Sequence, residues 1–255
     1  MIKFSGRREF VNLVFTLFAI GLAAIQPAIA QVNLNPDNGD PSYKAYTVFS
    51  PDASKPEAAR EDVIVVFHGF LSAIPNGTYK RVRKTFKKTH TVIGINYDPQ
   101  DVERTLAFLD AVEKKWLRGR RTVVLGTSVG GFWANVFGHR IEAQKIVLLN
   151  PVTDPARQLL KYVGEQVTNK RRAQTTRVEA AAIERYATLS GLKRNGRSRL
   201  IVLTADDATL NFRVARDAFA GKENTNIMIF PKGGHTLDLR KHPARASIVD
   251  FVSNR

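Results

Sequence analysis

Cysteine is absent from the 255 residues, and methionine and tryptophan occur only twice each. Without cysteine the chain has no disulfide framework, no thiol nucleophile and no thiolate metal site, and it has no cysteine to which a lipid anchor could be attached. The folded state must therefore be held together by burial of side chains. A chain of this length is long enough to form one domain with a sizeable core.

Acidic residues are few: 23 Asp and Glu stand against 39 Lys and Arg, and the formal net charge is +16. The basic residues are spread over several segments, namely 80–88, 114–121, 170–177 and 193–199. This distribution favours solvated faces of helices and turns, with a weak attraction to anionic surfaces as the alternative. Because no aromatic residues are interleaved as a stacking platform, no specific nucleic-acid partner is expected.

The longest apolar run lies near the start of the chain. A basic segment at residues 3–8 precedes the apolar run at 11–24, and Ala-Ile-Ala follows at 28–30. This order predicts a secretory signal peptide over residues 1–30, cleaved after Ala30, and a mature domain of residues 31–255 in the periplasm or outside the cell. The alternative is an uncleaved anchor, but a bilayer span needs about 20 apolar residues. Arg7 and Arg8 resemble a twin-arginine signal, and the export route stays open.

Short runs rich in β-branched residues predict strands that are buried on both faces of a sheet. The run at residues 63–67 is Val-Ile-Val-Val-Phe. Other predicted strands lie at residues 43–49, 91–96, 122–125, 145–149, 201–203 and 227–230, and predicted helices at 79–88, 99–117, 132–139, 208–220 and 243–252. The alternation of strand and helix predicts an α/β fold, with a mainly parallel sheet covered by helices on both faces.

Residues 151–191 interrupt this alternation. Their apolar positions predict a largely helical segment without a strand pattern. An insertion between two strands of a parallel sheet is able to fold over the strand ends. We therefore expect either a small helical cap or an elaborated crossover connection, and the pattern does not choose between them.

A Gly-Thr-Ser-Val-Gly motif at residues 126–130 follows one predicted strand and precedes a predicted helix. A sharp strand-to-helix turn holds a serine exposed in a strained conformation, and small neighbours prevent collisions of the backbone. The helix N-terminus then presents amides and a positive dipole end to developing negative charge. Ser128 is the predicted nucleophile.

A serine hydroxyl needs a base, and five histidines are present. His235 follows Gly-Gly directly after the last predicted strand, where a loop returns over the strand ends. His90, His139 and His242 are predicted to have structural roles. His68 is an alternative base, although its ring is more simply explained as a brace for its own loop.

The base in turn needs a carboxylate to fix its tautomer. Asp206 and Asp207 follow the predicted strand at 201–203, and either gives the order serine, acid, histidine. Asp207 is preferred, because Asp206 has an alternative role as a helix cap or a turn acceptor. The backbone N–H groups of Phe70, which follows His-Gly after the strand at 63–67, and of Val129 are predicted to form the oxyanion hole.

Together these motifs resemble small bacterial α/β hydrolases, and more closely the compact esterases related to YqiA and YcfP. The resemblance rests on residues 68–70, residues 126–131, Asn-Pro at 150–151, the Asp pair at 206–207 and Gly-His at 234–235. It implies the α/β-hydrolase fold and a Ser-Asp-His triad carried by Ser128, Asp207 and His235. Two departures are the signal peptide, since those relatives are cytoplasmic, and Ala205-Asp206 where glycine is common.

The predicted function is hydrolysis of carboxylic esters or thioesters through an acyl-enzyme intermediate on Ser128. No metal and no organic cofactor is expected, since no His and Asp cluster has ligand spacing. One alternative is an acyltransferase on the same fold, and another is a noncatalytic envelope-binding protein. The expected partner is a small-molecule ester or thioester substrate.

Overall fold

Seven strands form one sheet in a computed structural model, which describes residues 42–48, 62–171, 173–189 and 196–254. The predicted signal peptide lies outside the described residues. The strands are β1 (Lys44–Val48), β2 (Asp62–Phe67), β3 (Thr91–Asn96), β4 (Arg121–Thr127), β5 (Lys145–Leu149), β8 (Ser198–Thr204) and β9 (Thr225–Phe230). Their order across the sheet is β1-β3-β2-β4-β5-β8-β9, and all pairs are parallel except the antiparallel pair β1–β3. The predicted mainly parallel sheet is confirmed.

Helices cover both faces of this sheet. They are α1 (Gly77–Phe86), α2 (Val102–Val112), which continues as a π-helical turn (Glu113–Leu117), α3 (Val129–Arg140), α6 (Phe212–Phe219) and α7 (Ala244–Ser253). Buried side chains of α1 and α7 pack on one face, and those of α2, α3 and α6 pack on the other. This is the three-layer arrangement that the strand-helix alternation predicts.

The central strand β2 shows why these residues form a buried strand. Val63, Val65 and Phe67 belong to the hydrophobic cluster on one face, whereas Ile64 and Val66 belong to the cluster on the other. Each of these five side chains is fully buried. A strand between two helical layers has no solvent-facing side, so an unbroken apolar run replaces the usual alternation.

Polar caps fix the starts of two helices near the carboxyl edge of the sheet. Asn76 Oδ1 accepts a hydrogen bond from Tyr79 N at 2.9 Å before α1, and Asp101 Oδ1 accepts one from Arg104 N at 3.0 Å before α2. Both caps satisfy amides that a helix N-terminus leaves without intrahelical acceptors. In the described ranges, no helix combines the length and the apolarity that crossing a bilayer requires.

The segment at 151–191 differs from the prediction of a largely helical insertion. It contains α4 (Pro155–Gln158), a 3-10 turn (Leu160–Tyr162), a two-stranded antiparallel hairpin of β6 (Gln166–Asn169) and β7 (Gln174–Arg177), α5 (Ala180–Glu184) and a second 3-10 turn (Arg185–Thr188). The prediction missed the hairpin, because its strands are mostly polar and exposed. We refer to residues 151–189 as the cap segment.

Candidate active site

The predicted site residues lie at the carboxyl ends of four strands of the sheet. Ser128 follows β4, Asp207 follows β8 and His235 follows β9, while Phe70 follows β2. In a parallel sheet these ends meet at one edge, which is where open α/β sheets bind their ligands. Ser128, Val129, Phe70 and His235 line one cavity at this edge.

Ser128 occupies a strained turn. Its backbone has φ 57° and ψ −125°, a left-handed φ that a residue with a Cβ rarely adopts, and α3 begins at the next residue. The close packing around the turn requires glycine at two positions. A Cβ on Gly126 would lie 1.9 Å from the carbonyl oxygen of Gly130, and one on Gly130 would lie 2.3 Å from that of His68. The turn therefore has the geometry that the Gly-x-Ser-x-Gly pattern predicts.

His235 and Asp207 form a close pair. His235 Nδ1 lies 2.8 Å from Asp207 Oδ2, and the Asp207 side chain is 1% exposed while that of His235 is 24% exposed. An ionised carboxylate has no proton to give, so Nδ1 is the donor and Nε2 is left as an acceptor. This is the tautomer that a general base for a serine hydroxyl needs.

Opposing effects act on the pKa of the Asp207 carboxyl. Burial raises its pKa, but hydrogen bonds from His235 and from the backbone N–H groups of Leu210 and Thr209 outweigh burial and hold the pKa below its usual range. Both amides donate to Oδ1, at 2.9 and 2.8 Å. Asp207 is therefore ionised at neutral pH while it is almost completely enclosed.

Asp206 has a different set of contacts. Its exposed carboxylate accepts a hydrogen bond from Gly234 N at 2.9 Å, and this bond is the main reason that the pKa of Asp206 lies below its usual range. Asp206 thus holds the loop that carries His235 rather than the imidazole itself. This geometry favours Asp207 over Asp206 as the acid and matches the turn-acceptor alternative for Asp206.

A buried polar network that the sequence motifs did not predict supports the loop that carries His235. Asn150, directly after β5, donates from Nδ2 to Thr204 Oγ1 at 3.0 Å and to the carbonyl oxygens of Gly234 at 3.0 Å and His235 at 3.1 Å. Its Oδ1 accepts from Thr204 N at 2.9 Å. Thr204 Oγ1 also donates to Gly234 O at 2.8 Å. The network fixes the His235 loop to β5 and β8, and the position of Asn150 at a strand end is the sequence signal for it.

His68 braces the loop that follows β2, as expected. Its ring is buried, it stacks on Tyr97 with centroids 4.5 Å apart, and its Nδ1 donates to Gly69 O at 2.7 Å. Its Nε2 accepts from Tyr97 N at 3.5 Å, and Tyr97 Oη donates to His68 O at 2.6 Å. Because Nδ1 is paired with Gly69 and Nε2 with Tyr97, which follows β3, the ring is not available as a base.

The loop after β2 also lies directly against the serine. A Cβ on Gly69 would be 3.3 Å from Ser128 Cβ and 3.8 Å from Ser128 Oγ. Phe70 and Val129 line the cavity beside Ser128. The structure therefore places the two residues with the predicted oxyanion-hole amides next to the predicted nucleophile.

The cavity has a volume of about 410 Å³, within the range for small-molecule sites. Part of its wall is apolar and includes Val152, Leu159 and Leu210. Phe70 stacks on Tyr162 of the cap segment, with centroids 5.8 Å apart. The cap segment thus forms one side of the cavity. The sequence did not predict which of its residues line the cavity.

The three other histidines lie away from this cavity. His90 contacts Thr89, His139 contacts Arg199, and His242 Nε2 donates to Lys232 O at 2.8 Å. Their structural roles agree with the prediction. Among the residues that the model describes, no group of three or more His, Asp or Glu side chains is arranged to hold a metal ion.

Comparisons with known proteins agree with this architecture. A model of the uncharacterised protein family UPF0227 matches residues 63–251. No curated protein matches the sequence.

Several solved structures share the fold at low sequence identity. Est1E from Butyrivibrio proteoclasticus, also solved with ferulic acid bound, superposes with a TM-score of 0.63 at 14% identity, over 82% of this chain and 94% of that one. An alpha/beta superfamily hydrolase from Oenococcus oeni PSU-1 gives 0.56 at 14% identity, over 82% and 96%. The esterase EaEST from Exiguobacterium antarcticum gives 0.59 at 15% identity, over 83% and 95%. These likenesses confirm the predicted α/β-hydrolase fold.

Proposed function

The chain belongs to the uncharacterised protein family UPF0227, and from that premise we propose that it is a serine hydrolase that cleaves carboxylic esters or thioesters. One observation carries the proposal. Ser128 sits in a strained turn and shares a cavity with His235, whose Nδ1 is bonded to the enclosed carboxylate of Asp207. Fold alone does not define an activity, so this constellation of residues, and not the fold, supports the assignment.

In the first half of the reaction, Ser128 Oγ attacks the carbonyl carbon while its proton passes to Nε2 of His235. The carbonyl π electrons move to oxygen and give a tetrahedral oxyanion. When the intermediate collapses, the bond to the alcohol or thiol breaks, and His235 returns the proton to that leaving group. The product of this half is an ester between the acyl group and Ser128.

In the second half, water replaces the alcohol. His235 takes a proton from water, the oxygen of which attacks the acyl-enzyme carbonyl, and Ser128 leaves with that proton when the second intermediate collapses. Asp207 stays ionised throughout and stabilises the imidazolium in both halves. Its depressed pKa suits this role, because it keeps the negative charge at neutral pH.

Stabilisation of the oxyanion is assigned to backbone amides in this proposal. Val129 N stands at the start of α3, where a helix leaves its first amides without intrahelical partners. Phe70 N is the second donor, on the loop that Gly69 brings against Ser128. Loss of one such donor raises a barrier of this kind by about 3–4 kcal/mol, so a pair of donors has a large combined effect.

The solved neighbours provide fold-level support. Est1E has been solved with ferulic acid, and the protein from Exiguobacterium antarcticum is named an esterase. An acyltransferase reaction would use the same acyl-enzyme and differ in the acceptor. Release of free acid in water is therefore the result that favours the hydrolase.

A chain-length series of p-nitrophenyl esters tests the proposal. We expect the wild type to release p-nitrophenol and free acid, and Ser128→Ala to lose about 10⁴-fold or more in kcat. Ser72→Ala is the matched control, because Ser72 also lines the cavity but is not the proposed nucleophile. Turnover that survives Ser128→Ala would contradict the proposal, and acyl transfer to an added alcohol without acid release would favour the acyltransferase.

The N-terminal pattern supports export as a separate proposal. From the basic segment, the apolar run and the Ala-Ile-Ala site, we propose that the mature enzyme is located in the periplasm or outside the cell. Expression of the full chain in a bacterial host, followed by fractionation and N-terminal sequencing, tests this. A mature protein that begins at Gln31 is expected, and a full-length chain in the cytoplasmic fraction would contradict export.

A further inference from the structure

Two cationic side chains of the cap segment line the cavity that holds Ser128. Lys161 lies in the 3-10 turn at Leu160–Tyr162, and Arg171 lies between β6 and β7. Both lie in the cap segment, whose secondary structure the sequence patterns predicted least accurately. Neither side chain has a role in the catalytic steps proposed for Ser128.

Each cation is held by a neutral oxygen of the loops around the site. Lys161 Nζ donates to the carbonyl oxygen of Thr209 at 3.5 Å, and Arg171 Nη1 donates to that of Pro75 at 3.3 Å. Within the described residues, the ion pairs found include neither side chain. A carbonyl orients a cation but does not neutralise it, so both charges act on the space they face.

The hairpin that carries Arg171 is hydrogen-bonded to the rest of the fold. Asn169 Nδ2 donates to Ser72 O at 2.8 Å, and Gln100 Nε2 approaches Thr176 Oγ1 at 3.5 Å. These bonds connect both strands of the hairpin to loops at the carboxyl edge of the sheet. Arg171 is therefore presented at the cavity from an anchored element.

Acidic side chains are missing from the described residues that line the cavity. Asp207 lies behind His235, to which it is bonded. A cleft with one sign of charge and low-dielectric walls attracts ligands of the opposite sign. The apolar wall formed by Leu159, Tyr162 and neighbouring residues fits the neutral part of such a ligand.

We propose that the preferred substrate is an ester that carries a negatively charged group, and that Lys161 and Arg171 bind that group while the ester carbonyl lies at Ser128. The inference rests on the proposed hydrolase function and adds a substrate class to it. A carboxylate or a phosphate meets the requirement equally, since each accepts hydrogen bonds from both an ammonium and a guanidinium group. The two cations act in binding and take no part in the proton transfers.

Matched ester pairs test the inference. On the acyl side, p-nitrophenyl hydrogen adipate is compared with p-nitrophenyl hexanoate, which has the same chain length without the charge. On the alcohol side, 3-carboxyumbelliferyl butyrate is compared with 4-methylumbelliferyl butyrate. The measured quantity is the ratio of kcat/KM for the anionic ester to that for the neutral ester, in low and in high salt.

We expect the wild type to favour the anionic member of at least one pair, and the pair identifies the side of the ester that bears the charge. The double variant Lys161→Gln/Arg171→Gln should lower that ratio by about tenfold, as expected for two attractions of the strength found near solvent. Salt should lower the wild-type ratio more than that of the variant. The control Lys87→Gln/Lys114→Gln removes the same charge from exposed positions outside the cavity, and its ratio should stay within about twofold of the wild type.

Reversal of the charge at Arg171 is a second test of the proposed anion-binding residues. Arg171→Glu should lower the ratio further than Arg171→Gln does. A ratio that the cavity variants leave unchanged, with neutral esters still hydrolysed, would overturn the inference and leave the hydrolase proposal standing. Absence of turnover for both members of both pairs would contradict the hydrolase proposal and this inference with it.

Discussion

Asp207 lies 2.8 Å from the imidazole of His235, whereas its neighbour Asp206 accepts the N–H of Gly234 in the same loop. Two adjacent carboxylates at one strand end thus bind different parts of the same loop. The enclosed carboxylate faces the ring, and the exposed one faces the backbone that carries the ring. This division allows the role of each aspartate to be tested by the same substitution.

Asp207→Asn should lower kcat for ester hydrolysis by about 10⁴-fold, because an amide at this position no longer holds the required tautomer of His235. Asp206→Asn should have a much smaller effect, since an amide oxygen still accepts from Gly234 N. Steady-state kinetics on a p-nitrophenyl ester measure both. Equal and mild losses in the two variants would count against Asp207 as the acid.

The stability of the fold should also depend on pH through Asp207. Its pKa is lower in the folded state, so its ionised form stabilises the folded state above the unfolded-state pKa of about 4. This stabilisation is lost as the pH falls through the folded pKa. The unfolding free energy of the wild type minus that of Asp207→Asn should therefore shrink between pH 5 and pH 3 in urea titrations. A difference that grows on acidification would show the opposite sign and contradict the assignment.

His235 and His68 should respond differently to the same change. His235→Gln removes the proposed base, and its main effect should be a loss in kcat of about 10³-fold or more. His68→Gln disturbs a buried ring that stacks on Tyr97, so its main effect should be a loss of stability of about 1–3 kcal/mol. Kinetics and urea unfolding of both variants distinguish the roles. A stable His68→Gln protein without activity would indicate a catalytic role for His68.

Substitutions of glycine test the geometry of the turn at Ser128. A Cβ on Gly126 would meet backbone atoms of Gly130, which have no room to move, and Gly126→Ala should destabilise the fold by about 2 kcal/mol or more. Gly77→Ala is the matched control. Gly77 begins α1 with no atom near the position of the added Cβ, so alanine there should be neutral or slightly stabilising. Equal stability of the two variants would show that the turn is less tightly packed than described.

The sheet was largely predictable from the sequence. The strands at 91–96 and 145–149 were predicted with their observed bounds, because strands that are buried on both faces are mostly apolar. The family resemblance drawn from the short motifs is confirmed by the match to UPF0227. Because each of these motifs follows the end of a strand, their positions along the chain also indicated that they lie close together in the fold.

The start of α6 was predicted four residues too early, at 208 instead of Phe212. Thr209 N and Leu210 N donate to Asp207 Oδ1 and hold an open turn before Asn211 caps the helix. A side chain that captures backbone amides competes with the helix for them. The carboxylate of Asp207, which is the proposed acid, is thus also the reason that α6 starts later than predicted.

The hairpin of the cap segment was not predictable from apolar periodicity. Val167 is its buried residue, and the other positions of β6 and β7 are exposed or half-buried. Its strands are held by backbone pairing, by Thr168 to Thr175 at 3.0 Å and by the anchor of Asn169 to Ser72. Such contacts follow from the folded arrangement and leave no pattern in the sequence.

In the proposed mechanism, Ser128 is a nucleophile activated by His235 and Asp207. The most direct measurement is reaction of the protein with a fluorophosphonate probe, followed by intact mass and peptide mapping, with Ser128→Ala and the control Ser72→Ala in parallel. One adduct on Ser128 is expected in the wild type and in Ser72→Ala, and none in Ser128→Ala. A wild-type protein that stays unlabelled, or an adduct that persists in Ser128→Ala, would contradict the role of Ser128 as the nucleophile.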